Sequence, residues 1–538
     1  MSGGGLNRDA ALERVRQAGA LWDILVIGGG ATGVGIAMDA ASRGFQTLLV
    51  EQSDFGKGTS SRSTKLVHGG VRYLEQGNLT LVRDALRERA CLRRNAPHLV
   101  KDLPFLIPCK GRWDRFYYGL GLKLYDLLAG AQGFGRSHAI SLEKARAMAP
   151  ALRPEVLSGG VVYHDGQFDD ARLLINMVRT AADQGGCLVN YLGVEQLTFD
   201  SQQRIDGVIA IDHETGEAIR IKSRCVVNAT GPFSDSIRKL ENPSCEKMIA
   251  ASQGVHVVLP KRFYPGGAAM IVPKTADGRV VFMIPWHEHV LIGTTDTAIR
   301  DVGLEPEAHP SEIDFLLDTA ADYLVEPPKR RDLTAVFTGI RPLVKDSRHT
   351  RTASLSRDHL IQVSQQRLVT IAGGKWTTYR KMAEDCVDRV ITAFDFKPRP
   401  CRTRSLMIHG ANASRQEANA SHEANTPQQA TEPRAYYGTD LAAVQRLESQ
   451  SPKLAEALSP DLSIRPSDVI WAVRHEMART VDDVLARRTR SLFCNARSSL
   501  QVMPRVVALM ADELGRDLSW CESQQREFRQ IASHFLPE

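Results

Sequence analysis

Residues 23 to 51 read DILVIGGGATGVGIAMDAASRGFQTLLVE. The run Ile24 to Ile27 suits a parallel strand buried on both faces, and Gly28, Gly30 and Gly33 spell GxGxxG at the turn into a helix. Gly28 permits the tight turn, Gly30 lets backbone approach a pyrophosphate, and Gly33 lets the helix pack closely on the strand. The helix start then offers unpaired N–H groups and a positive dipole end to the phosphates. A second apolar strand, Thr47 to Val50, ends at Glu51, near the spacing of about 20 residues at which an acid meets the ribose hydroxyls. The stretch therefore predicts a complete βαβ unit that holds an adenine dinucleotide. A carboxylate at Glu51 would repel a 2′-phosphate, which argues against NADP and leaves FAD or NAD.

Outward from this unit, 538 residues are too many for one core, and two or three domains are expected. A net charge of +6 spread over such a surface does not imply nucleic acid. The nine cysteines form no CxxC pair and no zinc spacing, so no metal is expected and the thiols read as reduced, mostly buried groups of a cytosolic protein. The first residues, MSGGGLNRDAALERVRQAG, lack the apolar core of a signal peptide and suit a short amphipathic helix. No apolar stretch reaches the length of about 18 residues needed to cross a bilayer, so the chain is expected to be soluble or to lie on a membrane surface.

The segment 59 to 73, TSSRSTKLVHGGVRY, packs hydroxyls, bases and a glycine pair into a loop expected beside the nucleotide. Leu79 to Arg94 reads as a solvated surface helix and Phe168 to Ala182 as a further helix. Arg224 to Ala229 is a buried strand running into Thr230-Gly231-Pro232, a second close approach of backbone to the dinucleotide. Leu368 to Lys381, LVTIAGGKWTTYRK, repeats the order of strand, glycine pair and helix. Three such turns from distant places imply one discontinuous nucleotide-binding domain. Alternating segments Val255 to Leu259, Val280 to Pro285 and Val290 to Thr294 predict antiparallel strands covering the cofactor from one side. Residues 411 to 435 are polar and nearly free of large apolar side chains, as in a linker or insertion. From about Asp440 onward, apolar residues recur at helical spacing, which predicts a separate helical domain. The fold class is α/β: a discontinuous Rossmann-like domain (20–100, 155–250, 345–400), a β-rich cap (101–154, 251–344), a linker (405–438) and helices (439–538).

Taken together, GGGATG, TSSRSTKLVHGGVRYLE, VVNATGP, IPWHEHVLIGTTDT, TGIRPL and GGKWTTYRKMAE resemble the FAD-dependent glycerol-3-phosphate dehydrogenase family, and HEMARTVDDVLARRTR resembles its C-terminal domain. The resemblance spans roughly residues 20 to 400 and 440 to 520. The polar insertion has no assigned counterpart, and Arg62 stands where a small residue is common in the family. It implies FAD as cofactor and oxidation of glycerol 3-phosphate to dihydroxyacetone phosphate, with electrons passing to membrane quinone. It also implies that Arg72 and Arg341 reach the substrate phosphate, a task suited to bidentate guanidinium groups, and that Lys375 belongs to the active site. The alternative for each arginine is a structural ion pair.

A proton acceptor is also needed. His68 is the first candidate because imidazole titrates near neutrality, and His256 is the second; a buried histidine bonded to backbone is the alternative for both. Cofactor contacts are expected from Gly28, Gly30, Gly33 and Glu51, from Thr59, Ser60, Ser63 and Lys65, and from Gly231, Gly374 and Thr378. Residues 110 to 136 place Trp113, Phe116, Tyr117, Leu120, Leu124, Leu127 and Leu128 near one helical face, flanked by Lys110, Arg112, Arg115, Lys123 and Arg136. Such a face suits an anionic membrane interface, and equally a helix packed on the core. The expected placement is cytoplasmic, peripheral on the inner face of the cell membrane, as a homodimer that binds no nucleic acid. Three rivals remain: an oxidase that gives its electrons to oxygen, an enzyme oxidising amines or amino acids, and a flavin-binding protein without turnover.

Overall fold

The computed structural model describes residues 6–71, 79–273, 275, 279–345, 359–412 and 434–537. Arg72 and most of the polar segment 411 to 435 lie outside them.

The opening strand is Leu21–Ile27, and its alternate residues go to opposite sides. Ile24 and Val26 join one core with the helices Ala31–Ser42, Asp170–Asp183 and Tyr379–Ala393; Leu25 and Ile27 join another with Leu12 and Val15 of the N-terminal helix Arg8–Arg16. Burial on both faces is what a continuous apolar run in a parallel sheet requires. Leu21–Ile27 lies between Ala218–Asn228 and Thr47–Val50, both parallel to it, with Leu368–Gly373 and Cys187–Val189 parallel beyond them. Antiparallel strands complete this eight-stranded sheet. The three glycine turns of the sequence leave the same ends of neighbouring parallel strands, and the discontinuous domain closes for that reason.

A second sheet of ten strands carries the cap. Its long strand Ile249–Pro260 pairs antiparallel with Ala335–Val344 and with His289–Gly293, which pairs in turn with Val281–Trp286. Gly160–Phe168, which the sequence reading groups with the nucleotide-binding part, is hydrogen-bonded along Val100–Pro108 in the cap sheet instead. Leu66–Val67 pairs with its far end, so the cofactor loop feeds directly into the cap.

Two other expectations change. The helix Leu79–Asn95 is not solvated all round: Val82, Ala85, Leu86 and Leu92 are buried, and two of its charges, Glu88 and Arg89, turn inward while Arg83, Arg87 and Arg94 stay exposed. Arg89 meets Asp165 at 2.6 Å and Glu88 meets Arg380 at 2.6 Å, so a charge-rich stripe became a buried ion-pair face. The C-terminal helices also do not stand apart. Val469, Val484, Leu492, Val506 and Phe528 share one hydrophobic core with Val258, Trp286, Ala335 and Phe337 of the cap sheet. Helical periodicity locates an apolar stripe but does not say which surface covers it.

Candidate active site

The two sheets enclose a cavity of about 660 Å³, within the range of sites for small molecules and cofactors. One wall is the GxGxxG turn. Gly28 has φ of +109°, and a Cβ there would lie 2.8 Å from the carbonyl oxygen of Ala229. Gly33 stands behind the wall and lets the helix seat on the strand: a Cβ would lie 1.9 Å from Gly28 O. The helix Ala31–Ser42 begins with no acidic residue in its first turn, so its positive end is free to face an anion. Glu51 accepts from Gly29 N at 2.6 Å and Ser53 N at 2.9 Å. Burial pushes its carboxyl above the ordinary range, against the pull of those two N–H groups.

The loop after Glu51 lines the cavity with Thr59, Ser60, Ser63 and Thr64, and Gly231 and Gly374 line it from the other two turns. Ser60 Oγ accepts from Ala31 N at 2.9 Å, and Trp376 Nε1 donates to Ser60 O at 2.8 Å, which ties the first turn to the third. Gly373 and Gly374 have φ of +79° and +77°, and a Cβ on Gly374 would lie 2.3 Å from Met382 Sδ. Two residues go elsewhere. Lys65 is fully buried against Asp170, with Nζ to Oδ2 at 2.6 Å and the rings of Phe337, Phe493 and Trp286 around it, so it braces the loop instead of facing the cavity. Burial pulls its ammonium down to about 7 despite Asp170. Thr378 is not among the lining residues; its hydroxyl donates to Lys375 O at 3.2 Å, and Thr377 lines the cavity in its place.

His68, His256, Arg341 and Lys375 all line this cavity. Register explains how two of them meet. Arg341 pairs across from Ser252, and His256 lies four residues further along the same strand, hence on the same face. Glycines hollow that face. A Cβ on Gly254 would lie 2.3 Å from Arg341 Nη2, and one on Gly293 would lie 2.1 Å from His256 Cδ2. Arg341 is held by Gln253 O at 3.2 Å, Thr294 Oγ1 at 3.1 Å and Thr295 O at 3.0 Å, with Asp296 at 3.5 Å. His256 stacks on Phe337 at 4.8 Å, and its Nε2 meets Thr64 Oγ1 at 2.9 Å. Its Nδ1 is buried and has no hydrogen-bond partner among the described residues. Burial, then the charges of Lys65 and Arg341, hold this imidazole well below its usual titration range, so it is neutral at pH 7. The backbone N–H of His68 donates to Thr377 Oγ1 at 3.3 Å.

The sequence reading missed Thr64 and Trp376. Both stand inside the quoted motifs, but their partners are 192 and 316 residues away, and no local pattern reports such a pairing. Arg62, where the family commonly has a small residue, is accommodated by an ion pair with Glu305 and by donation of Nη1 to Thr338 O at 3.3 Å.

The residues fit FAD: a glycine cradle, a helix N-terminus, an acid for ribose and a cavity long enough to join all three turns. Comparison with known proteins agrees. Residues 23–384 match the model of the FAD dependent oxidoreductase family, and residues 401–521 match that of the C-terminal domain of alpha-glycerophosphate oxidase. The mitochondrial glycerol-3-phosphate dehydrogenase of Bos taurus is 39% identical over 96% of this chain and 73% of its own. The corresponding protein of Arabidopsis thaliana is 40% identical over 96% and 86%. The X-ray structure of the glycerol-3-phosphate dehydrogenase from Bacillus halodurans complexed with FAD superposes with a TM-score of 0.79 at 29% identity, covering 98% of this chain and 97% of that one.

Proposed function

The chain belongs to the FAD-dependent oxidoreductases, among the glycerol-3-phosphate dehydrogenases, and from that premise we propose that it oxidises sn-glycerol 3-phosphate to dihydroxyacetone phosphate and hands the electrons to membrane quinone. The observation that carries the reading is one cavity lined both by the dinucleotide turns and by Arg341, Lys375 and a neutral His256. Bound FAD would supply the hydride acceptor for C2 of the substrate. The rest falls to the protein. Arg341, already oriented by the carbonyls of Gln253 and Thr295, offers its guanidinium to the phosphate dianion. Lys375, following the Gly373-Gly374 turn, adds an ammonium for the phosphate or for charge developing on the C2 oxygen. His256 stays unprotonated through the neutral range and would take the hydroxyl proton once the substrate's phosphate dianion offsets the burial and the Lys65 and Arg341 charges that weaken it as a base, and Thr64 fixes its ring. Of the two histidines it is His256 that carries a buried nitrogen, Nδ1, without a hydrogen-bond partner among the described residues.

An anaerobic spectrum tests the substrate. Glycerol 3-phosphate is expected to bleach the flavin band; glycerol is expected to be inert because it has no anion for the cationic anchor, and amino acids such as glycine because they bring a carboxylate but no secondary alcohol to oxidise. A band that persists with glycerol 3-phosphate and bleaches with an amine would transfer the assignment to amine oxidation.

Acceptor and membrane are argued from the helix Arg112–Ala129. Leu122, Tyr125 and Ala129 fix it to the core, while Trp113 (83% exposed), Phe116 (64%), Tyr117, Leu120, Leu124 and Leu127 (76%) face outward; Leu128 is half-buried, packed on the core. A contiguous aromatic and aliphatic face of this kind suits the interface plane of a bilayer, and no helix among the described residues is long and apolar enough to cross one. The same helix touches the site: Gly69 N donates to Tyr125 Oη at 3.0 Å, next to His68. Replacing Trp113, Phe116 and Leu127 by serine is expected to abolish sedimentation with vesicles containing anionic lipid and to cut quinone reduction at least about tenfold, as for the lost transfer energy of three apolar side chains. Turnover with a soluble dye is expected to stay unchanged. Undiminished vesicle binding would remove this helix from the membrane role, and stoichiometric peroxide would make oxygen the acceptor.

A further inference from the structure

The stretch His475 to Arg490, HEMARTVDDVLARRTR, is unused by the chemistry above, yet it meets the cofactor loop and its support through a series of buried ion pairs. Arg487 Nε meets Asp54 Oδ2 at 2.5 Å, and Arg488 grips both oxygens of Asp54 at 2.6 and 2.9 Å. Arg490 Nη2 meets Ser61 O at 2.9 Å and Asp170 Oδ1 at 3.1 Å. Asp482 meets Lys57 Nζ at 2.6 Å; Lys57 meets Glu305 at 2.6 Å, and Glu305 meets Arg62. Lys57 and Arg62 line the cavity, so a chain of alternating charges runs from its wall to the C-terminal helices.

The backbone around these arginines is unusual. Met477 and Arg490 have φ of +57° and +63°, outside the normal range for their side chains, and Asp483–Arg488 is a π-helical turn. Neighbouring residues of an α-helix point about 100° apart; the wider π turn narrows that angle and brings Arg487 and Arg488 onto one carboxylate. Strained backbone persists where the surroundings over-determine it, and such sites cluster at functional positions. The loop, by contrast, has few apolar anchors and is held almost wholly by polar contacts to other elements. Phe55 is its one fully buried large apolar side chain, and the rest is held by Gly56 N to Gly29 O at 3.0 Å, Ser60 to Ala31 and Trp376, and Lys65 to Asp170, with Asp54 and Ser61 held by the C-terminal arginines.

We propose that the C-terminal helical region is a positioning device for the cofactor: Arg487 and Arg488 on Asp54, and Arg490 on Ser61, hold residues 52–65 in the shape that binds FAD. Cofactor retention and docking of residues 477–490 then form one coupled equilibrium. The proposal rests on FAD occupying the cavity. Coupling of this kind is reciprocal, so FAD must tighten the clamp as much as the clamp tightens FAD.

The test is amide hydrogen exchange on the wild-type holoenzyme and on the same protein stripped of FAD. Exchange is expected to rise on stripping in residues 28–33 and 52–65 and also in 477–490, while Ala496–Leu514, packed on the cap core, is unchanged. Arg488→Lys, which keeps the charge and loses the two-pronged grip, and Asp482→Asn, which weakens the ion pairs to both Lys57 and Arg487, are each expected to raise the FAD dissociation constant at least tenfold. The unfolding midpoint of the stripped protein should match the stripped wild type. Unchanged exchange in 477–490, or wild-type FAD affinity in both variants, would overturn the clamp. A wild-type protein that neither carries nor rebinds FAD would overturn the cofactor reading beneath it.

Discussion

Arg341→Ala is expected to raise KM for glycerol 3-phosphate by about 10², the loss of a charged hydrogen bond worth roughly 3 kcal/mol, while FAD remains bound. The two halves of that expectation have separate structural grounds. The guanidinium is anchored within the cap, by Gln253, Thr294 and Thr295, and not by the parallel sheet whose turns cradle the dinucleotide. Its removal empties one side of the cavity without touching the glycine turns. Arg341→Lys should recover only part of the loss, because an ammonium cannot present two parallel N–H groups to a phosphate. Steady-state kinetics with a soluble dye acceptor, read beside the flavin spectrum, would settle the matter. An unchanged KM would reduce Arg341 to a structural partner of Asp296.

The second large effect is expected at Gly33. A methyl group there would sit 1.9 Å from Gly28 O and 3.4 Å from Ala229 Cβ, backbone on one side and a packed neighbour on the other. Neither can yield without moving the helix Ala31–Ser42 off its strand, and the glycine cradle moves with it. Gly33→Ala should therefore purify without FAD and lose stability, overpacking of this kind costing roughly 1–3 kcal/mol or more. Gly119→Ala is the control, since a Cβ there meets nothing within 4 Å. It should keep FAD and, as a glycine replaced within a helix, hold or gain stability of about 1 kcal/mol. A yellow Gly33→Ala protein with wild-type stability would show that the strand and helix have more slack than their packing implies.

The loop from Thr59 to His68 marks where legibility ends. Its hydroxyls could be assigned to the cofactor from sequence because a short polar loop after a βαβ unit has few other uses, and the structure lines the cavity with Thr59, Ser60 and Ser63. Lys65 stands in the same run and could not be told apart from them. It turns inward because Asp170 and three aromatic rings, from segments more than 100 residues away, make a burial site for it. Leu79–Asn95 went astray for the same reason: its partners Asp165 and Arg380 are absent from any local window.

By itself, then, the sequence determined whatever is written in local backbone demands. Glycines at 28, 30 and 33, the strand before them and the acid at 51 specify a dinucleotide unit, because the positive φ at Gly28 and the helix–strand contact at Gly33 leave no room for a side chain. Only the closed fold separates the charges that face the cavity from those that are struts. Arg341 and His256 share a face through strand register, and Lys65 and Arg488 are sealed inside by carboxylates. A charged side chain declares its role through the partner it meets and the water it loses, and both are settled only when distant parts of the chain close on one another.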